Sequence, residues 1–189
     1  MRTSFKVTLA AVLAFGCADQ PTAPGAPNDA APVVEPTMNS SVVHHVSVGA
    51  EDPFCEATGQ PPGCDANFSL VANQRADGTV TGQWQDTFGF GGGDGLHVAI
   101  DCLNVVGNRA VIGGVITRGS ALGSDFTGLR TLTAAIDNGS SVSDPLDQVS
   151  FSWVVTGPTG LPIEDTPCTE FDPSDFILLD VTHGQVKVQ

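Results

Sequence analysis

Basic residues are scarce: seven Lys and Arg stand against 21 Asp and Glu, for a formal charge of −14. They form no cluster, which excludes the positive surface by which nucleic-acid binders neutralise phosphates. Long apolar runs are also missing. The longest, Val7 to Phe15, is about half the ~20 residues that a helix needs to cross a bilayer, and no later segment is apolar enough. The usual signatures of chemistry are absent as well. No Gly-x-Ser-x-Gly elbow occurs; Gly119-Ser120-Ala121-Leu122-Gly123 is one residue off and reads as a β loop rather than a strand-to-helix turn. The glycine-rich stretch Gly89 to Gly95 lacks the following helix and Lys of a phosphate-cradling loop. No Cys-x-x-Cys pair is present to suggest zinc. These absences favour a non-catalytic module over an enzyme.

What is present begins at the N-terminus. A short basic opening, Met1 to Lys6, runs into the apolar Val7 to Phe15 and ends at Gly16-Cys17, the pattern of a signal peptide. Leu13-Ala14-Phe15-Gly16-Cys17 resembles the lipobox of bacterial lipoproteins, departing from it at Ala14, where a larger aliphatic is usual. The resemblance implies removal of residues 1–16 and lipidation of Cys17, with acyl chains that anchor at roughly 0.8 kcal/mol per buried CH₂. Residues 17–41 carry Pro21, Pro24, Pro27, Pro32 and Pro36 without helical or strand periodicity. They read as a tether whose extended reach is up to roughly 70 Å. Loss of Arg2 and Lys6 with the signal takes the formal charge from −14 to −16, so an anionic membrane surface would repel the mature chain. Attachment must then come from the lipid. The expected location is the bacterial cell envelope, outside the cytoplasm, with no nucleic-acid partner.

Residues 42–189 change character: short runs of Val, Ile, Leu, Phe and Thr are punctuated by Gly, Asn and Asp, with almost no helix signal. Asn67 to Asn73 and Thr79 to Asp86 alternate apolar and polar residues around Ala76-Asp77-Gly78, and Asp-Gly tolerates the positive φ of tight hairpins. Leu96, Val98, Ile100 and Cys102 alternate along one expected core face. Val42 to Val48, Val111 to Thr117, Arg130 to Ile136, Gln148 to Thr156, Phe176 to Val181 and Gln185 to Val188 complete eight or nine strands. The expectation is one all-β domain, an antiparallel β-sandwich or partly closed barrel. With Cys17 set aside, Cys55, Cys64, Cys102 and Cys168 form an even set in an oxidising compartment. Four cysteines allow three pairings; Cys55–Cys64 with Cys102–Cys168 is favoured because the first closes a turn-rich loop.

The succession Ala66-Asn67-Phe68-Ser69-Leu70, Gly78-Thr79-Val80-Thr81-Gly82-Gln83, His97 to Ala110, Gly114-Val115-Ile116-Thr117 and Ile136-Asp137-Asn138-Gly139 resembles a group of exported bacterial lipoprotein β-modules. The likeness covers most of residues 66–156. It implies a fold and a surface context, and no activity.

Candidate chemistry is thin. His44, His45, His97 and His183 are not spaced as ligands or bases, and alternation turns His97 outward. The loop from Asp137 to Asp147 is richest in side-chain oxygen. Asp137, Asn138, Asp144 and Asp147 are its candidate calcium ligands, although the terminal Glu of an EF-hand is missing. Two readings follow. The first is an envelope-anchored, non-catalytic β-module that presents a binding or structural surface to an unknown protein or carbohydrate. The alternative is a calcium-dependent carbohydrate-binding or adhesion module using that loop with Trp84 and Trp153, provided the tryptophans are exposed.

Overall fold

A computed structural model describes residues 40–51, 67–87, 95–121 and 123–189. Residues 1–16, most of the expected tether, Cys17 and the expected Cys55–Cys64 bridge lie outside the described residues.

Among the described residues eleven strands form a single antiparallel sheet: β1 (Val42–Glu51), β2 (Asn67–Arg75), β3 (Val80–Asp86), β4 (Gly95–Val106), β5 (Arg109–Ala121), β6 (Ser124–Asp125), β7 (Arg130–Ile136), β8 (Gln148–Ser150), β9 (Trp153–Val154), β10 (Leu178–Asp180) and β11 (Gly184–Val188). Nine lie in the order β10-β8-β7-β5-β4-β3-β2-β1-β11, while β6 pairs with β5 and β9 with β7. No α-helix occurs among the described residues. The sheet curls into a half-barrel, in keeping with the expected all-β architecture. Its end strands, β10 and β11, are consecutive in the chain and joined by Val181 to His183.

Local chemistry explains the hairpin between β2 and β3. Gly78 takes a φ of 85°, and the Asp77 carboxylate receives the Thr79 N–H at 2.9 Å and the Ser40 hydroxyl at 2.8 Å. The Thr79 backbone bond, above all, holds the Asp77 carboxyl below its ordinary pKa. On β3, a Cβ at Gly82 would lie 2.1 Å from the Val71 carbonyl oxygen. Only glycine fits where the strongly coiled strands approach so closely.

Alternation sends Val46 and Val48 of β1, Phe68, Leu70 and Ala72 of β2, and Trp84 of β3 inward, where they meet Leu96, Val98 and Ile100 of β4 in one core. Cys102 does not continue that face. The β4–β5 register shifts between Ile100 and Cys102, so that Ile100 pairs with Gly114 and Cys102 with Gly113. This bulge adds one residue on β4 and reverses the alternation. Leu103 joins the inner core instead, while Cys102 turns to the opposite face. There a second core gathers Val111, Leu132 and Ala134 from β5 and β7 against Ile163, Cys168, Phe171 and Phe176 of the C-terminal segment. The Cys102–Cys168 disulfide, with its Cα atoms 6.0 Å apart, fastens that segment to β4. The single strand expected over Gln148 to Thr156 is two. β8 places Val149 opposite Ala135 and β9 places Trp153 opposite Leu132, so four steps on one side answer three on β7 and the strand is interrupted at Phe151-Ser152.

Candidate functional site

The four candidate calcium ligands lie between β7 and β8, where the two ends of the curled sheet meet. In β11, the N–H groups of Val186 and Val188 point away from β1, toward the edge of the sheet. Asp147 Oδ2 accepts from Val186 N–H at 2.8 Å, and Asp137 Oδ2 accepts from Val188 N–H at 3.1 Å. The other oxygens turn back to their own loop: Asp147 Oδ1 accepts from Asn138 N–H at 2.8 Å and Asp137 Oδ1 from Gly139 N–H at 3.1 Å. Asn138 donates its amide to the Leu146 carbonyl at 2.6 Å. Asp144 Oδ2 accepts from Ser141 N–H at 2.8 Å. The two outer carboxylates thus replace a missing strand along the β11 edge, which would otherwise expose unpaired donors. Asp144 closes the turn between them. Among the described residues no group of three or more His, Cys, Asp or Glu side chains is gathered as a metal site.

The histidines are dispersed. His45 Nδ1 lies 2.8 Å from Asn73 Oδ1, and His183 Nδ1 is 3.5 Å from Glu51 Oε2 with both side chains exposed. His44 occupies the inward face of β1, where its Nδ1 is buried. Trp84 is 1 % exposed and packs beside Phe68, with ring centroids 5.6 Å apart, so it offers no stacking face to a sugar. Trp153 is half-buried and stacks on Phe151 at 4.8 Å. Asp86, which the sequence did not single out, is buried on the inner face and accepts the Ser152 hydroxyl across the core.

A concavity among the described residues lies on the other, solvent-facing side of β2 to β5: a groove of about 630 Å³, within the range of small-molecule sites. Its floor follows from register. Ser69 pairs with Gln85, Gln85 with His97, and His97 with Arg118, forming one rung across four strands. The next rung runs Val71, Gln83, Ala99, Val115. One rung is therefore polar throughout and its neighbour is largely aliphatic, with Ala99 making the dip. Thr117, bulged between the rungs, donates its hydroxyl to the His97 carbonyl at 3.0 Å. At the groove's end, Arg118 Nη2 lies 2.7 Å from His97 Nε2.

The charges around this face are unevenly matched. Arg130 holds Asp101 in a two-pronged pair at 2.9 and 2.7 Å, and that hydrogen bonding raises the Arg130 pKa. Lys187 lies 3.9 Å from Asp137. Arg118 has no carboxylate within ion-pair distance among the described residues; its guanidinium is spent on an imidazole. Alternation had marked His97 as outward, but the rung it belongs to depends on pairing across four strands and cannot be seen along one. Compared with known protein families, curated proteins and solved structures, the chain matches none.

Proposed function

We propose that the protein is a lipid-anchored module of the bacterial cell envelope that holds a non-catalytic β-domain away from the membrane and binds a partner on the solvent face of β2 to β5. The observation carrying the binding part is the groove, where a rung of hydroxyl, amide and imidazole groups lies beside a largely aliphatic one, with the Arg118 guanidinium bordering it against His97. Backbone groups in these central strands are already paired, so recognition falls to side chains. A binding role is favoured over catalysis by the partner of His97: an arginine cannot act as the carboxylate that orients a histidine base. The anchoring part rests on Cys17 and its preceding residues. For calcium-dependent adhesion, the available parts are weaker, because Trp84 is in the core and the loop carboxylates already accept backbone N–H groups.

The anchor is tested by expressing the full chain in a bacterial host supplied with a clickable fatty acid. Wild-type protein is expected to carry the label and sediment with membranes, and Cys17→Ala to lose both properties. Label retained in Cys17→Ala, or unlabelled soluble wild-type protein, overturns the anchor.

A further inference from the structure

We infer that the groove on β2 to β5 is a subsite for a carboxylate-bearing saccharide, with Arg118 as the group that selects for the acid. This rests on reading the solvent face as the binding surface and adds the class of ligand. Four adjacent strands set the width of the polar rung, about 14 Å from Ser69 to Arg118 at ~4.8 Å per strand. That is the scale of two or three linked pyranose rings, and the ~630 Å³ of the groove holds a ligand of that size.

The chemistry along the rung is equally particular. Ser69, Gln85 and Gln83 offer both donors and acceptors at the spacing of neighbouring strands, which suits the mixed demands of sugar hydroxyls. Val71 and Ala99, on either side of Gln83 in the next rung, present small aliphatic surfaces that can take the C–H face of a ring. Gly49, opposite Ser69 on β1, leaves open space beyond: a Cβ there would meet nothing within 4 Å. Beside the other end stands Arg118, the cation whose observed partner is an imidazole nitrogen, His97 Nε2. A guanidinium forms paired bonds with a planar carboxylate, and such charge-assisted bonds exceed the one it makes to an imidazole.

Charge complementarity decides between acidic and neutral ligands. The chain carries −14 overall, yet among the described residues the groove lining contains no carboxylate. An extended peptide is the less suitable occupant, because strand addition requires a free sheet edge, and β2 to β5 are interior strands.

The test uses the full-length chain with Cys17→Ala, titrated with trigalacturonic acid and with its methyl ester, by calorimetry and by amide chemical-shift mapping. The acid is expected to bind, with shifts centred on Gln83, Gln85, His97 and Arg118. The ester is expected to bind about tenfold or more weakly, since it keeps the hydroxyls and loses the charge-assisted pair. Arg118→Met should cost the acid the same factor, leave the ester unchanged and preserve the melting temperature. Gln85→Ala should weaken both ligands alike. Equal binding of acid and ester, shifts elsewhere on the domain, or no binding of either would overturn the proposal. Each of those results leaves the Cys17 labelling experiment untouched, so failure of the ligand assignment is distinguishable from failure of the anchor.

Discussion

Asp147 illustrates how one side chain can act as a piece of strand. Its two carboxylate oxygens receive Asn138 N–H from its own loop and Val186 N–H from the β11 edge, each at 2.8 Å, and its carbonyl receives Val181 N–H at 2.8 Å. Hydrogen bonds to a charged acceptor contribute about 1.5–3 kcal/mol each, and donors left unpaired add a desolvation cost. Asp147→Ala should therefore lower stability by roughly 3 kcal/mol, with faster amide exchange at Val186 and Asn138. Asp144→Ala, removing a carboxylate from an exposed turn, should cost under about 1 kcal/mol. Equal effects of the two variants in thermal unfolding would remove the special role of Asp147. The oxygen-rich composition of this loop was legible in the sequence, but the recipients of its oxygens were not. Asp-Asn-Gly and Asp-Pro fit any turn, and the β11 donors lie 39 and 51 residues away from their acceptors.

At the level of strands, alternation located the inner face well as far as it ran unbroken. Leu96, Val98 and Ile100 do face one core, as the pattern implied. Cys102 departs because a single extra residue in a bulge turns every later side chain over, and nothing in Ile100-Asp101-Cys102-Leu103 marks where pairing slips. The slip has a structural consequence: only from the opposite face can Cys102 reach Cys168. The bridge spans 66 residues, and on the chain-entropy model a loop that long contributes about 4 kcal/mol. A Cys102→Ala/Cys168→Ala double variant should accordingly unfold at lower denaturant, with the loss confined first to the C-terminal segment over β5 and β7. Exchange in Ile163, Phe171 and Phe176 should rise before that of Leu70 or Ile116. Uniform loss of protection in both cores would show instead that the disulfide supports the whole sheet. The groove belongs to the same level of organisation. Gln83 and Gln85 were visible as the polar half of an amphipathic strand, but their alignment with Ser69, His97 and Arg118 is a property of register, which a linear pattern does not specify.

Across the whole molecule, acidity and cohesion oppose one another. With 21 acidic residues against seven basic ones, like charges are closer together in the folded domain than in the unfolded chain, and this self-repulsion destabilises the compact state. Some carboxylates escape the penalty by accepting backbone N–H groups, as Asp137 and Asp147 do at the sheet ends and Asp172 does from Ser174. Such bonds are short-range and respond little to salt, whereas the diffuse repulsion is screened as the Debye length falls from about 30 Å at 0.01 M to about 8 Å at 0.15 M. Stability should therefore rise with sodium chloride over that range, by a few degrees in melting temperature, given that about 1 kcal/mol corresponds to roughly 2–4 °C in a chain of this size. Binding of an acidic saccharide at Arg118 should move the opposite way, because the same ions screen the attraction that selects it. Measuring both in one salt series separates the two effects. A melting temperature that falls with salt would mean that ion pairs such as Arg130 with Asp101 outweigh the general repulsion. Affinity for the acid that does not fall with salt would mean that hydroxyl contacts, rather than the guanidinium, carry recognition in the groove.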